Sequence, residues 1–247
     1  TVIRALTYAT RPVCLEALEI NRRFFRRLEA AVPPAQWVPW EDQHNWRFVE
    51  RLPSQLLLQK FARQMSGTQT IDLLLMVGHL QEVGVLYRML DEIFEDILFI
   101  SLGILTGKWN RDHDEYCRYF WSEEEGDRQP PVRRKTIRAF VNRAYATPDP
   151  HRSDAVGREI YKTYSDYAHA RSAPIMGMVH GPPPRFALDG IHDTDARHPY
   201  VDQNPTYFYR CLLSMCAISN VVLSDPDRSL AYRKLKSFEK KHSNLLF

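Results

Sequence analysis

The chain has 247 residues, 44% of them hydrophobic and 26% charged, and its formal net charge is +3 at neutral pH. That balance excludes a disordered or low-complexity chain, and so mild a charge does not by itself demand a nucleic-acid or anionic-membrane partner. The length accommodates one large domain or two small ones, and ten glycines are few enough to suit helices.

The first predicted element is a helix over residues 10–31. Thr10 can cap it, Pro12 fits its first turn, and Val13, Ala17, Ile20, Phe24, Leu28 and Ala31 recur at three- and four-residue spacing. Its other face carries Glu16, Glu19, Arg22, Arg23, Arg26 and Arg27, and Pro33-Pro34 stops it. The Trp-rich stretch 37–46 reads as an irregular packed connection. A shorter helix over 53–65 should be broken by Ser66-Gly67-Thr68, after which the strongest amphipathic pattern of the chain runs over 71–105. Val83, Leu86, Leu90, Ile93, Ile97 and Ile100 fill one side of that helix, while Arg88, Asp91, Glu92 and Glu95 share the other with Asp96 at the edge. These charges disqualify the segment as a membrane span, which needs about 20 apolar residues.

Further helices are predicted over 110–125, over the basic stretch 131–146 and over 153–170, the last with a face rich in tyrosine and histidine. Residues 171–205 differ in kind, because six of the sixteen prolines fall there. The stretch reads as a long loop with a short extended piece at 185–188, and loops of that length are often functional. Helices over 206–223 and 226–242 close the chain. The pattern predicts an all-α fold, a single-domain irregular bundle of about seven or eight helices with one long Pro/Gly/His-rich loop. Within it, residues 1–52 hold the first helix and the Trp-rich connection, 53–170 the helical core and 206–247 the C-terminal helices. Cys14, Cys117, Cys211 and Cys216 form no C-x-x-C spacing, and Arg4 and Arg11 interrupt any apolar run of signal-peptide length. Both features lead to the expectation of a cytoplasmic protein with reduced thiols.

Three constellations could carry chemistry. Tyr161, Ser165 and His169 stand at i, i+4 and i+8, so they form one row on a helix that also holds Tyr164 and Tyr167, and Asp166 can orient His169. A histidine beside a hydroxyl suits acid–base or nucleophilic work, which makes His169 and Ser165 the candidate catalytic pair. No G-x-S-x-G turn surrounds Ser165, and the plainer reading is a polar seam between helices. The second constellation is His192, Asp193, Asp195 and His198, whose spacing matches no established metal motif, so these four are weak metal candidates and no cofactor is expected. The third is the acidic row on the long helix, where Arg88 can pair with Glu92. It lacks the Glu-x-x-His pattern of di-iron sites and reads as a solvated or interface-lining face. The basic helices over 131–146 and 228–242 would make a phosphate or nucleic-acid patch if they came together, and are otherwise two solvated helices.

The segments Leu86-Tyr-Arg88-Met-Leu-Asp91-Glu92 and Tyr161-x-x-Tyr164-Ser165-x-Tyr167-x-His169 together resemble an uncharacterised bacterial all-helical family over residues 70–190. Some members of that group are distantly similar to the helical HEPN ribonucleases of toxin–antitoxin and phage-defence systems. The resemblance implies a helical fold. The ribonuclease motif itself, an arginine and a histidine on a helix with four to six residues between them, has its only literal match here in Arg185 and His192, across Gly190 in the loop, and Arg171 follows His169 instead of preceding it.

The expected function is that of an accessory protein that binds a ligand or partner in a cleft between the Arg88 helix and the 161–169 helix, with the loop as its rim. Arg88 would supply an anion contact, Tyr161, Tyr164 and Tyr167 stacking and hydroxyls, and His169 a hydrogen bond, with Glu92, Arg171 and His180 completing the set. The alternatives are a metal-independent ribonuclease, with His169 as acid–base and Arg88 or Arg171 on the phosphate, and an oligomeric scaffold that self-associates through its apolar helices.

Overall fold

The structure, a computed structural model, describes residues 8–40, 42–122, 130–144, 159 and 162–246. The acidic run Glu123–Glu125, the Pro148 breaker, Tyr145 and Tyr161 lie outside the described residues. The fold is all-α. Helices α1 (Arg11–Ala31), α2 (Pro53–Val77), α3 (Leu80–Leu105), α4 (Arg111–Trp121) and α5 (Arg134–Ala144) are followed by α6 (residues 162–168) and α7 (Ser172–Met176). Helices α8 (Thr194–Val222) and α9 (Asp225–Leu246) follow. Among the described residues the strands are confined to two antiparallel pairs, β1 (Gln36–Trp40) with β2 (Gln43–Arg47) and β3 (Val179–His180) with β4 (Arg185–Phe186). No helix among them is long and apolar enough to cross a membrane.

α8 is the central post. It packs against α1, α2, α3 and α9, while α3 also packs against α2 and α5. Each contact follows from an apolar stripe. α1 buries Cys14, Ala17, Phe24 and Leu28, α2 buries Leu57, Phe61, Ile71 and Leu75, and α3 buries Val83, Tyr87, Leu90 and Ile97.

Four predicted features are corrected. The Trp-rich stretch is a regular hairpin in which Trp37 lies opposite Trp46, their rings 5.2 Å apart. Ser66-Gly67-Thr68 does not break α2. An interior glycine costs a helix about 1 kcal/mol, whereas each large apolar side chain buried beyond it, such as Ile71 or Leu75, returns about 1.5–3 kcal/mol. A Cβ on Gly67 would stand 2.7 Å from Leu90 Cδ2, so this glycine permits the close crossing of α2 and α3. The true break is Gly78, which caps α2 in the left-handed region at φ 81 and divides the predicted long helix in two.

The third correction concerns the loop. α8 begins at Thr194, and Pro199 and Pro205 lie inside it. Proline leaves the carbonyl four residues earlier without its helical donor. Opposite Pro205 that carbonyl belongs to Val201, and it accepts the Thr10 hydroxyl at 3.2 Å from α1. A tertiary contact thus replaces the missing helical bond, and the chain stays helical. The irregular part shrinks to residues 171–193, which fold into α7 and the β3–β4 hairpin.

The fourth correction concerns charge. Of the two readings of the acidic row of α3, the interface-lining one fits and the solvated one does not, and the basic stretch over 131–146 is likewise no solvated helix, because acids and bases meet between helices. Arg210 of α8 pairs with Asp91, Arg138 of α5 lies 2.6 Å from Glu95, and Arg134 of α5 pairs with Asp96, which Lys60 of α2 also reaches at 2.8 Å. Burial raises the Asp91 and Glu95 carboxyls above their usual range, and the arginines pull against it. The two basic helices do not merge into one patch by packing together, since α5 rests on α3 while α9 rests on α8 and α1.

Candidate functional site

The site grows out of the turn between α2 and α3. Gly78 and Gly190 both have positive φ, at 81 and 100, and each approaches the other's segment so closely that a Cβ would fall 2.4 Å from Ile191 O and 2.1 Å from Val77 O respectively. The Ile191 N–H donates to Gly78 O at 2.8 Å, which fastens the end of the loop beside the first turn of α3. One turn further along, Gly84 leaves the surface of α3 bare. The Tyr167 ring of α6 lies there, with its Cδ1 2.6 Å from where a Cβ would stand. α6 then ends with Ala170 in the left-handed conformation at φ 48. The backbone N–H of Arg171 returns to Asp166 O and that of Ala170 to Tyr167 O, which satisfies the last carbonyls of the helix. The same turn brings the Arg171 guanidinium to 3.2 Å from the Asp166 carboxylate.

Between α6, α7, the start of α3 and the start of α8 these elements leave a cleft of about 620 Å³. Its lining includes Tyr164 and Tyr167 from α6, Tyr200 and Gln203 from α8, Gln81 from α3 and, as the one charged side chain among the described lining residues, Asp166. The tyrosines form a connected array. Tyr167 and Tyr200 share a 2.7 Å hydrogen bond between their hydroxyls, with ring planes at 88° and centroids 6.4 Å apart. The Tyr164 hydroxyl donates to Gln203 Oε1, and its ring lies 6.3 Å from that of Tyr167. Beneath them Tyr87 of α3 is fully buried. It stacks on Tyr207 of α8 at 4.0 Å, and its hydroxyl donates to Tyr200 O at 2.8 Å. Burial pushes the Tyr164 phenol up to about 12 and raises those of Tyr87, Tyr200 and Tyr207 well above the usual value, so all four stay protonated and neutral.

The two separated stretches singled out in the sequence meet. Arg88 Nη1 donates to Ser165 Oγ at 3.2 Å, and its Nε reaches Glu92 at 3.4 Å. This contact does not line the cleft, and neither does His169, which is exposed just past the end of α6 and whose N–H bonds Ser165 O. Ser165 is therefore held by a guanidinium, and among the described residues no imidazole is hydrogen-bonded to it. His180 bonds Gly177 O at 2.9 Å in the β3 hairpin. Asp193 accepts the Asp195 N–H at 2.9 Å as the N-cap of α8, and His198 lies 3.9 Å from Asp202, one turn along. His192 is exposed, and no group of three or more His, Cys, Asp or Glu among the described residues is placed to hold a metal ion. All four cysteines are free thiols, and burial pushes Cys14 and Cys216 up to about 12, which keeps them unreactive.

Sequence reasoning reached Tyr164 and Tyr167 but missed Tyr87, Tyr200, Tyr207 and Gln203. Tyr200 and Tyr207 are seven apart, one helical face, but that spacing carries no signal while Pro199 and Pro205 make the segment read as a loop. Comparison with family models, curated proteins and solved structures found no match to this chain.

Proposed function

We propose that the chain is a binding protein that receives a small organic cation in the tyrosine cleft. One observation carries the reading: the lining combines three tyrosines with a single carboxylate, and no lysine, arginine or histidine is among its described residues. The face of an aromatic ring is electronegative, so a cation within about 6 Å of its centroid is attracted, by roughly 0.5–2 kcal/mol per ring depending on desolvation. The near-perpendicular Tyr167 and Tyr200 rings make a corner of the kind that holds an ammonium group. Burial keeps the Tyr164 and Tyr200 phenols neutral, so they add hydrogen-bonding capacity without charge. The Asp166 carboxylate, held only weakly by the largely exposed Arg171 guanidinium, can exchange that partner for a ligand cation. The volume falls within the roughly 300–1,000 Å³ of ordinary small-molecule sites.

Calorimetric titration with choline, set against its tert-butyl isostere in which carbon replaces the quaternary nitrogen, tests this directly. Choline should bind at least tenfold more tightly than the neutral analogue. Tyr167→Leu and Asp166→Asn should each weaken choline several-fold while the far-UV circular dichroism stays unchanged. Equal affinity for the two compounds would remove the reading.

A further inference from the structure

Where an arginine of one helix faces a neighbouring helix in this fold, a carboxylate repeatedly receives it. Arg11 of α1 meets Asp72 of α2, Arg138 of α5 meets Glu95 of α3, and Arg210 of α8 meets Asp91 of α3. The groove between the outer faces of α1 and α2 has no such cross-helix carboxylate among its described residues, a lack it shares with the contacts of Arg63 on Met89 Sδ and of Arg197 on Leu75 O. It encloses about 450 Å³ and is lined by Arg22, Arg23 and Arg26 of α1 and by Ser66 and Gln69 of α2, with no acidic residue among the described lining residues. Arg22 crosses to α2 and donates to a neutral acceptor, Gln69 Oε1, at 2.6 Å. Arg23 and Arg26 pair with Glu19 and Glu29 of their own helix at 2.7 and 2.5 Å, with all four side chains exposed. Exposed pairs of this kind are weak, screened and readily exchanged for a better anion. The Phe25 ring, packed 5.9 Å from Phe61, closes one side and fixes the position of that turn of α1.

We propose that this groove binds a small soluble anion carrying two or more phosphate groups. Guanidinium is a planar fork that matches phosphate oxygens bidentately, and unlike an ammonium it retains that geometry on a surface. Arg22 and Arg26 stand one turn apart with Arg23 beside them, so the positive charges extend along the groove, as suits an extended anion better than a lone one. Ser66 and the Gln69 amide add neutral donors on the facing helix. The site shares no residue with the tyrosine cleft and stands independently of it.

The test is calorimetric titration of the full chain with inorganic tripolyphosphate, with orthophosphate as the comparison. Tripolyphosphate should bind at one site per chain, more tightly than orthophosphate, with an affinity that falls as salt rises. Arg22→Gln and Arg26→Gln should each weaken it at least tenfold with no change in melting temperature, and Arg22→Lys should recover only part. Arg233→Gln on α9, which keeps the same overall charge as Arg22→Gln, should leave binding intact. Equal loss from the α9 variant, a stoichiometry above one, or no preference over orthophosphate would each overturn the proposal, since all three describe general attraction to a basic protein.

Discussion

The His113 imidazole is buried in a ring stack, 4.0 Å from the Phe99 ring and 4.9 Å from that of Trp109. Its Nδ1 accepts the Asn110 N–H at 3.2 Å and so closes the start of α4. Burial pushes its pKa below the usual value of about 6.5. The folded chain thus binds this proton more weakly than the unfolded chain does. The associated stability is complete above pH ~6.5 and is lost as pH falls from there through the lower, folded pKa. Between about pH 7 and 5 the urea midpoint of the wild-type protein should drop relative to that of His113→Phe, which keeps the stack and shares the raised Asp91 and Glu95 carboxyls, whose own effect runs the other way. Parallel pH profiles for the two proteins across the window would contradict the account. Asp72 is a second residue whose role is tertiary. It accepts the Tyr8 hydroxyl at 2.6 Å and the Arg11 Nε at 3.1 Å, while Asn204 of α8 donates to Tyr8 at 2.7 Å. One buried carboxylate therefore ties the start of α1 to α2 and, through Tyr8, to α8.

Among the elements, α5 shows most clearly how charge can take the place of burial. It is short, buries Ile137, Phe140 and Val141, and is fastened to α3 by Arg134 and Arg138. Breaking a buried ion pair costs about 3–5 kcal/mol when the partner is stranded. Lys60 still holds Asp96 and Arg138 still holds Glu95 when Arg134 is lost. Arg134→Ala should therefore cost less, about 2 kcal/mol, and the loss should be local. Hydrogen-exchange protection should fall over α5 while that of α2 and α8 persists, and uniform loss across the molecule would show that α5 is not a separable unit. The sequence displayed both sides of this interaction, an acid row open to a solvated or an interface-lining reading and a basic helix that looked solvated, because periodicity shows which residues share a side and is silent on what faces them. The same limit hid the split between α2 and α3, where Gly67 and Gly78 look alike in sequence and only the crossing helix distinguishes a close contact from a break.

At the scale of the molecule, the tyrosine cleft and the arginine groove lie on different elements and share no lining residue. Two ligands on independent sites should stabilise the fold additively. A ligand at a hundredfold excess over its dissociation constant adds about 2.7 kcal/mol, which for a chain of this size raises the melting temperature by about 5–10 °C. Choline and tripolyphosphate together should give close to the sum of their separate shifts in a thermal melt. A combined shift no greater than the larger single one would mean that the two compete for one site. By itself the sequence determined the all-α class, the membrane exclusion for the strongest amphipathic helix, and the presence of α1, α3 and the two C-terminal helices, because a repeat of apolar residues near 3.6 is imposed locally by the helix and needs no partner to be read. It also brought Arg88 and the 161–169 stretch under the same suspicion, and they touch at Ser165. Only the tertiary structure decided where the helices end, that α8 runs through two prolines, and that tyrosines of α6 and α8 line one cleft with a carboxylate. These depend on what the neighbouring element supplies, a hydroxyl for a stranded carbonyl or a bare glycine for a ring, and no spacing along the chain encodes that.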